Sequence, residues 1–392
     1  MGGWLLLAAW LAQAALATAG VALYARNLAW PQPRPVARPR LLVLAPVRGP
    51  LPGLGRFLDA LAAQDYPDWR VVFAVESQAD PAYQALRRFA AADPARRRVA
   101  IAGPAAGRAQ KLHNLLAALS EAGPEDAVLV TVDADMVPPP AFLSELVRPV
   151  LAGQAPIASG YRWPVPEAGG FAASLLALAD IAIAALPRHN RVNLCWGGAT
   201  AISAEAARRL DLVRVWARAV SDDLSLSRAA QRAGMVIYAP LTVRPPSPVQ
   251  GGLRVVLGFG ARQYRLLRLH APGTWWLAGL LLTLPVAGAA AALAGALQGR
   301  LEAFLAPGLA LGLQRLRAGL RAGIARRILP PEAAAATCRL LARGWWRQPA
   351  VSLLHLLAWA GSAGPRRITW AGRRYRLAPD GTVCSVMPLA AR

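Results

Sequence analysis

The stretch Ala127-Val128-Leu129-Val130-Thr131-Val132-Asp133-Ala134-Asp135-Met136-Val137-Pro138-Pro139-Pro140 decides the fold. Residues 127–132 are strongly apolar and β-branched, of strand length, and read as a buried strand. Two carboxylates follow one residue apart, and then a proline run that ends regular structure. Outward from there, 41–45, 71–75 and 99–102 are further short apolar runs, with helix-like stretches around 54–63, 82–92 and 109–118. Strand and helix alternating at this spacing predict an α/β domain, a mostly parallel sheet with helices on both faces. In such sheets ligands bind at the carboxyl ends of the strands, which is where Asp133 and Asp135 fall. No Gly-x-Gly-x-x-Gly turn follows the first strand, so a standard dinucleotide fold is not supported.

The rest of the chain points to a membrane. Hydrophobic residues make up 55 % of it and the net charge is +23, a combination that fits a membrane protein whose basic loops face an anionic leaflet. Nucleic-acid binding is disfavoured, because the arginines lie beside apolar stretches and not among aromatics on one soluble face. Residues 4–24 are uncharged and long enough to span a bilayer, with Arg26, Arg34, Arg38 and Arg40 after them. A signal peptide is the competing reading, but charges that follow the apolar run favour an anchor with the remainder cytosolic. The predicted order is an anchor (1–25), a Pro/Arg linker (26–40), a cytosolic catalytic domain (41–248), a basic amphipathic interfacial helix (249–271), a spanning helix (274–298), further membrane or interfacial helices (299–363) and a basic cytosolic tail (364–392) with a hairpin at 366–377. A multi-pass protein of the cell (inner) membrane results. The cysteines Cys195, Cys338 and Cys384 are widely spaced, with no zinc or pairing pattern, which suits a reduced compartment.

Four groups of residues can carry chemistry. Asp133 and Asp135 offer hard oxygen ligands for Mg²⁺ or Mn²⁺ bridging substrate phosphates; a turn or helix cap is the plainer use of the same tripeptide. Asp222 and Asp223 open a helix running to Ala233, where a carboxylate either caps the helix or acts as a general base. Lys111, the sole lysine of the chain, stands near a helix start, either solvated or reaching a diphosphate as a point charge. Glu76 and Asp80 follow the 71–75 strand and either accept hydrogen bonds from a nucleoside or are solvated loop carboxylates.

Taken in order, these segments resemble the ceramide glucosyltransferase family, glycosyltransferase family 21. The resemblance is carried by Gln64-Asp65-Tyr66-Pro67, Asp80-Pro81-Ala82, Lys111-Leu112-His113-Asn114-Leu115, Asp133-Ala134-Asp135, Cys195-Trp196-Gly197-Gly198, Asp222-Asp223 and Arg262-Gln263-Tyr264-Arg265. Leu266 stands where the family has Trp, and Asp222 where it usually has Glu. The resemblance implies an A-type nucleotide-diphospho-sugar transferase fold and an inverting, metal-dependent transfer of a hexose from a UDP-sugar to a membrane lipid hydroxyl, ceramide first. It further implies Asp223 as base and Asp133 and Asp135 as metal ligands. Glu76, Asp80, Lys111, Asn114, Asp133, Arg262 and Arg265 would hold the nucleotide-sugar, and Trp196, Gly197, Gly198, Asp222 and Gln263 would line the acceptor side. No obligatory protein partner is implied. A polyprenyl phosphate, sterol, hopanoid or carotenoid acceptor is the nearest alternative, and a non-catalytic scaffold that has kept the sugar-nucleotide fold is the alternative from another class.

Overall fold

The computed structural model describes residues 2–30, 35, 37–166, 170–370 and 372–388. Residues 31–34 and 36 of the predicted linker, and 389–392 of the tail, lie outside the described residues. The chain divides into two compact units. A sheet unit comprises Pro31–Arg162, Arg188–Ser247 and Pro365–Arg392, and a helical unit comprises Met1–Trp30, Trp163–Pro187 and Pro248–Gly364.

In chain order the strands are β1 (Leu41–Pro46), β2 (Trp69–Val75), β3 (Arg97–Ile101), β4 (Val128–Val132), β5 (Ile157–Ser159), β6 (Trp163–Pro166), β7 (Ala199–Ser203), β8 (Ile237–Tyr238), β9 (Pro246–Val249), β10 (Arg367–Trp370), β11 (Arg373–Leu377) and β12 (Val383–Pro388). The sheet unit is built on seven of them in the order β3-β2-β1-β4-β7-β5-β8. β3, β2, β1 and β4 run parallel, β7 runs antiparallel to both β4 and β5, and β8 is parallel to β5. The mostly parallel sheet is thus as expected, with one reversed strand. β4 is buried along its whole length, as its β-branched sequence requires. The helix Leu54–Ala62 buries Leu54, Phe57, Leu58 and Leu61, a single stripe at helical spacing, into a core shared with Val43, Phe73, Val130, Leu143 and Leu146.

Two parts of the predicted division come out differently. The predicted catalytic stretch is interrupted, because residues 163–187 belong to the helical unit. The cause is the helix Phe171–Ala184, apolar but for Ser174 and Asp180 and buried on most sides, which packs on the helices Pro331–Gly344 and Gln348–Gly361. The basic tail is a three-stranded antiparallel sheet, β10-β11-β12, in the sheet unit. Val383 N–H donates to Arg218 O at 2.8 Å, and Arg228 Nη1 donates to Asp380 O at 2.6 Å.

In the helical unit, Gly3–Asn27 and Pro272–Ala296 are long and apolar enough to cross a membrane. They lie side by side, Gln13 Nε2 donating to Leu281 O at 2.7 Å, and Gly288 admits Trp10, since a Cβ there would meet that ring at 2.7–2.8 Å. Leu301–Ile328 is one continuous helix through Pro307, within the 299–363 stretch predicted to hold membrane or interfacial helices. Leu253–His270 is a helix inside the predicted 249–271 segment.

Candidate active site

The carboxyl end of β4 delivers Asp133 and Asp135, and the helix Asp222–Arg232 delivers Asp222 and Asp223 in its first turn. Lys111, on the helix Gln110–Leu119, joins the two groups. Its Nζ lies 2.8 Å from Asp133 Oδ1 and 3.0 Å from Asp222 Oδ1. Burial by itself would lower the Lys111 pKa, but Asp133, Asp222 and Asp223 outweigh it and hold the ammonium protonated. The loop Cys195–Gly198 closes over this cluster. A Cβ on Gly197 would stand 2.4 Å from Asp222 Oδ2 and 2.7 Å from Lys111 Nζ, so only glycine lets the loop come this close. Gly197 N–H donates to Asp223 Oδ2 at 3.2 Å.

Asp223 is held from three sides. Besides Gly197, Leu224 N–H donates to its Oδ1 at 2.7 Å and the Ser221 hydroxyl donates to the same oxygen. Ser221 is the N-cap of the helix, in extended backbone conformation, so the cap and the carboxylate share the first turn. Asp222 is buried. Burial pushes its carboxyl up to about 6; Lys111 pulls the other way, and Asp223 and Asp133 add to the rise. Between the ordinary 3.8 and about 6, the folded state keeps a proton that the unfolded chain releases. This contribution to stability is therefore fully present below the ordinary value and is lost as pH rises through about 6. Asp222→Asn is expected to flatten the slope of melting temperature against pH in that window; an unchanged slope would show that other carboxylates produce it.

Asp135 is likewise raised, first by burial and then by the charge of Asp133, with Arg162 and Lys111 opposing. Two carboxylates that repel each other in a desolvated pocket suit a divalent cation, which would relieve both. Among the described residues no group of three or more His, Cys, Asp or Glu side chains could hold a metal alone. Asp133 and Asp135 are two oxygen donors of the kind that would suit a cation only if it took further ligands from elsewhere. Cys195 is buried, and burial pushes its thiol up to about 12.

Residues 5–383 match the sequence profile of Glycosyl transferase family 21. The chain belongs to this family. It is a glycosyltransferase, and its sheet unit is the mostly parallel α/β arrangement that the motifs implied. No curated protein sequence matches it. Among solved structures it is similar to mannosyltransferase PcManGT from Pyrobaculum calidifontis in complex with GDP-Man and Mn²⁺, at 20% identity over 91% of this chain and 99% of that one, TM-score 0.48. It is also similar to glucosyl-3-phosphoglycerate synthase from Mycobacterium tuberculosis with Mn²⁺ and UDP-glucose (17% identity, 59% and 78% covered, TM-score 0.36). A third likeness is S. aureus TarS 1-349 with UDP-GlcNAc (11% identity, 88% and 98% covered, TM-score 0.40).

Other expected site residues of this glycosyltransferase have specific places. Asn114 is buried, its Nδ2 donating to Val47 O and Ala74 O, both at 3.0 Å, while its Oδ1 accepts from Gln110 Nε2. Its polar atoms thus tie the ends of β1 and β2 to the Lys111 helix. Asp80 accepts from Gly49 N–H and Ala82 N–H, each at 2.9 Å, and so fixes the loop after β1, where Gly49 has φ 73°. Gly198 leaves room for Trp196, whose ring a Cβ would meet at 2.4 Å. Arg262, Gln263 and Arg265 lie on the helix Leu253–His270 of the helical unit, where Arg265 Nη2 donates to Gly361 O at 2.7 Å.

The sequence reading missed several residues. Glu76 is gripped by Arg48 Nε at 3.1 Å and by Arg373 Nη2 at 2.5 Å. Arg373, on β11, also donates to Gln110 Oε1 at 2.7 Å, so the C-terminal sheet reaches the start of the Lys111 helix. Tyr161 packs beside Trp196, with ring centroids 5.9 Å apart, and Arg188 lies over the Tyr161 ring.

Proposed function

We propose that this family 21 enzyme transfers a hexose from a UDP-sugar, with inversion, to the hydroxyl of a membrane lipid, ceramide being the first candidate. The observation that carries the reading is the gathering of Asp133, Asp135, Asp222, Asp223 and Lys111 at the carboxyl end of β4. A scaffold has no need of four carboxylates and a buried lysine around a glycine that could not be anything larger. Asp223 takes the proton of the lipid hydroxyl as its oxygen bonds to the anomeric carbon and the bond to the UDP phosphate oxygen breaks. Asp133 and Asp135 would hold Mg²⁺ or Mn²⁺, which would supply positive charge to the departing diphosphate. Lys111 adds a positive charge beside Asp133 and keeps Asp222 in place, and Trp196, with Tyr161 tilted against it, offers the acceptor an aromatic side. The two apolar helices fit an enzyme anchored in a bilayer beside its lipid, with its sheet unit in the cytosol. A polyprenyl, sterol, hopanoid or carotenoid acceptor would use the same carboxylates.

Calorimetric titration of UDP, with and without Mn²⁺, tests the donor half of this reading. Mn²⁺ is expected to strengthen UDP binding to the wild type and to have little effect in Asp135→Asn. Equal UDP binding with and without the ion would remove the metal from the account.

Arg373 and Arg48 hold Glu76 at the end of β2, the edge of the sheet where a nucleoside would lie. Arg373→Ala removes charge-assisted bonds worth about 1.5–3 kcal/mol. It is expected to raise the donor KM about tenfold and to leave kcat within about twofold. A matching fall in kcat would move Arg373 from donor binding to the reaction itself.

A further inference from the structure

The helical unit holds a cavity of about 430 Å³ that none of the chemistry above uses. It lies among the two apolar helices, the helix Leu301–Ile328 and the start of Gln348–Gly361. Trp10 and Phe304 line it. Ten to thirteen residues beyond Phe304, about 15–20 Å along a helix, the lining becomes polar at Gln314 and Arg317, next to Gln348 and Ser352. Gln348 and Ser352 are bonded to each other at 3.2 Å. Gln314 is 3% exposed, and its Oε1 has no partner. Arg317 Nε is buried and unpartnered, as is Nε of Arg321 one turn on, a residue only 5% exposed. Glu302, in the first turn, is the only acidic residue of this helix.

A half-buried guanidinium whose Nε is enclosed and unpartnered, with no carboxylate beside it among the described residues, is costly, and in a bilayer it marks a ligand site by default. A neutral lipid would fill the volume and leave the arginine uncompensated. A small anion would satisfy the arginine and leave the part around Trp10 and Phe304 empty, which packing disfavours. An anionic amphiphile does both, and the volume is within the range of about 300–1,000 Å³ usual for ligand pockets. We propose that this cavity binds one anionic phospholipid, its phosphate at Arg317 and Gln314 and an acyl chain running toward Trp10 and Phe304. The proposal rests on the membrane reading above.

Thermal unfolding and native mass spectrometry of the full chain in neutral detergent test it, with phosphatidylglycerol, diacylglycerol of the same acyl chains and inorganic phosphate as probes. Phosphatidylglycerol is expected to raise the melting temperature and to remain bound, and the other two are not. Arg317→Leu is expected to weaken phosphatidylglycerol binding about tenfold, whereas Arg326→Leu, at an exposed position, leaves it unchanged. Gln314→Leu removes the unpartnered oxygen at similar volume, so it should melt no lower than wild type without lipid and should also bind phosphatidylglycerol more weakly. An equal shift from diacylglycerol, the same shift from phosphate alone, or undiminished binding in both cavity variants would overturn the site. If the chain fractionates as a soluble protein without detergent, the membrane reading and this site fall together. A membrane-bound chain that treats phosphatidylglycerol and diacylglycerol alike loses the site alone.

Discussion

Asp223→Asn is expected to lower turnover about 10²–10⁴-fold while UDP binding and the folded structure persist. The substitution keeps the shape of the side chain and leaves an oxygen to accept from Leu224 N–H, now 2.7 Å from Oδ1. What it removes is the ability to take a proton. The hydrogen bonds from Gly197, Leu224 and Ser221 hold the carboxylate in one orientation, which a base needs. A helix cap would also be held this way, so a second variant separates the roles. Ser221→Ala removes the N-cap oxygen and is expected to cost about 1 kcal/mol of stability with a much smaller effect on rate. Near-normal turnover in Asp223→Asn would leave Asp223 as a cap and return the search for the base to Asp222.

Lys111→Met is expected to be the most destabilising single change in the sheet unit. It leaves Asp133 and Asp222 close together with no cation between them, and Asp222 is only 4% exposed. Breaking such a buried pair from one side costs about 3–5 kcal/mol, most of it for the charge left behind. Adding Asp222→Asn removes that charge, so the double variant should regain at least about 1 kcal/mol relative to the sum of the single changes. A double-mutant cycle by chemical denaturation measures this, and strict additivity would mean that the contacts at 2.8 and 3.0 Å contribute no coupling. Activity should stay low in both variants, since Lys111 also faces Asp133.

Which features were legible in the sequence follows from the range of the forces that set them. The Asp-x-Asp pair was legible because β4 is buried on both faces and its composition alone marks the strand and where it ends. A helix within 249–271 was legible for a similar reason, an apolar stripe set among arginines. Lys111 stood out as the sole lysine, yet its partners Asp133 and Asp222 come from distant segments, and no local pattern encodes their convergence. Asn114 matched a family motif; its buried bonds to Val47 and Ala74 show a position set by strand packing, which spacing does not reveal. The reversed β7 was missed because Ala199–Ser203 is short and built of small residues. The excursion of 163–187 into the helical unit was missed because an apolar helix reads the same wherever it is buried. Arg373 lies 297 residues from Glu76, and nothing short of the folded tail brings the two together.

The most direct test of the central claim is UDP release by the detergent-purified full chain, measured across UDP-sugars with ceramide as acceptor, with and without EDTA. The account predicts release from one UDP-sugar that requires both the lipid and a divalent metal, is abolished by EDTA and is restored by Mg²⁺ or Mn²⁺. Release that persists undiminished in EDTA, or no release with any lipid hydroxyl supplied, would contradict it.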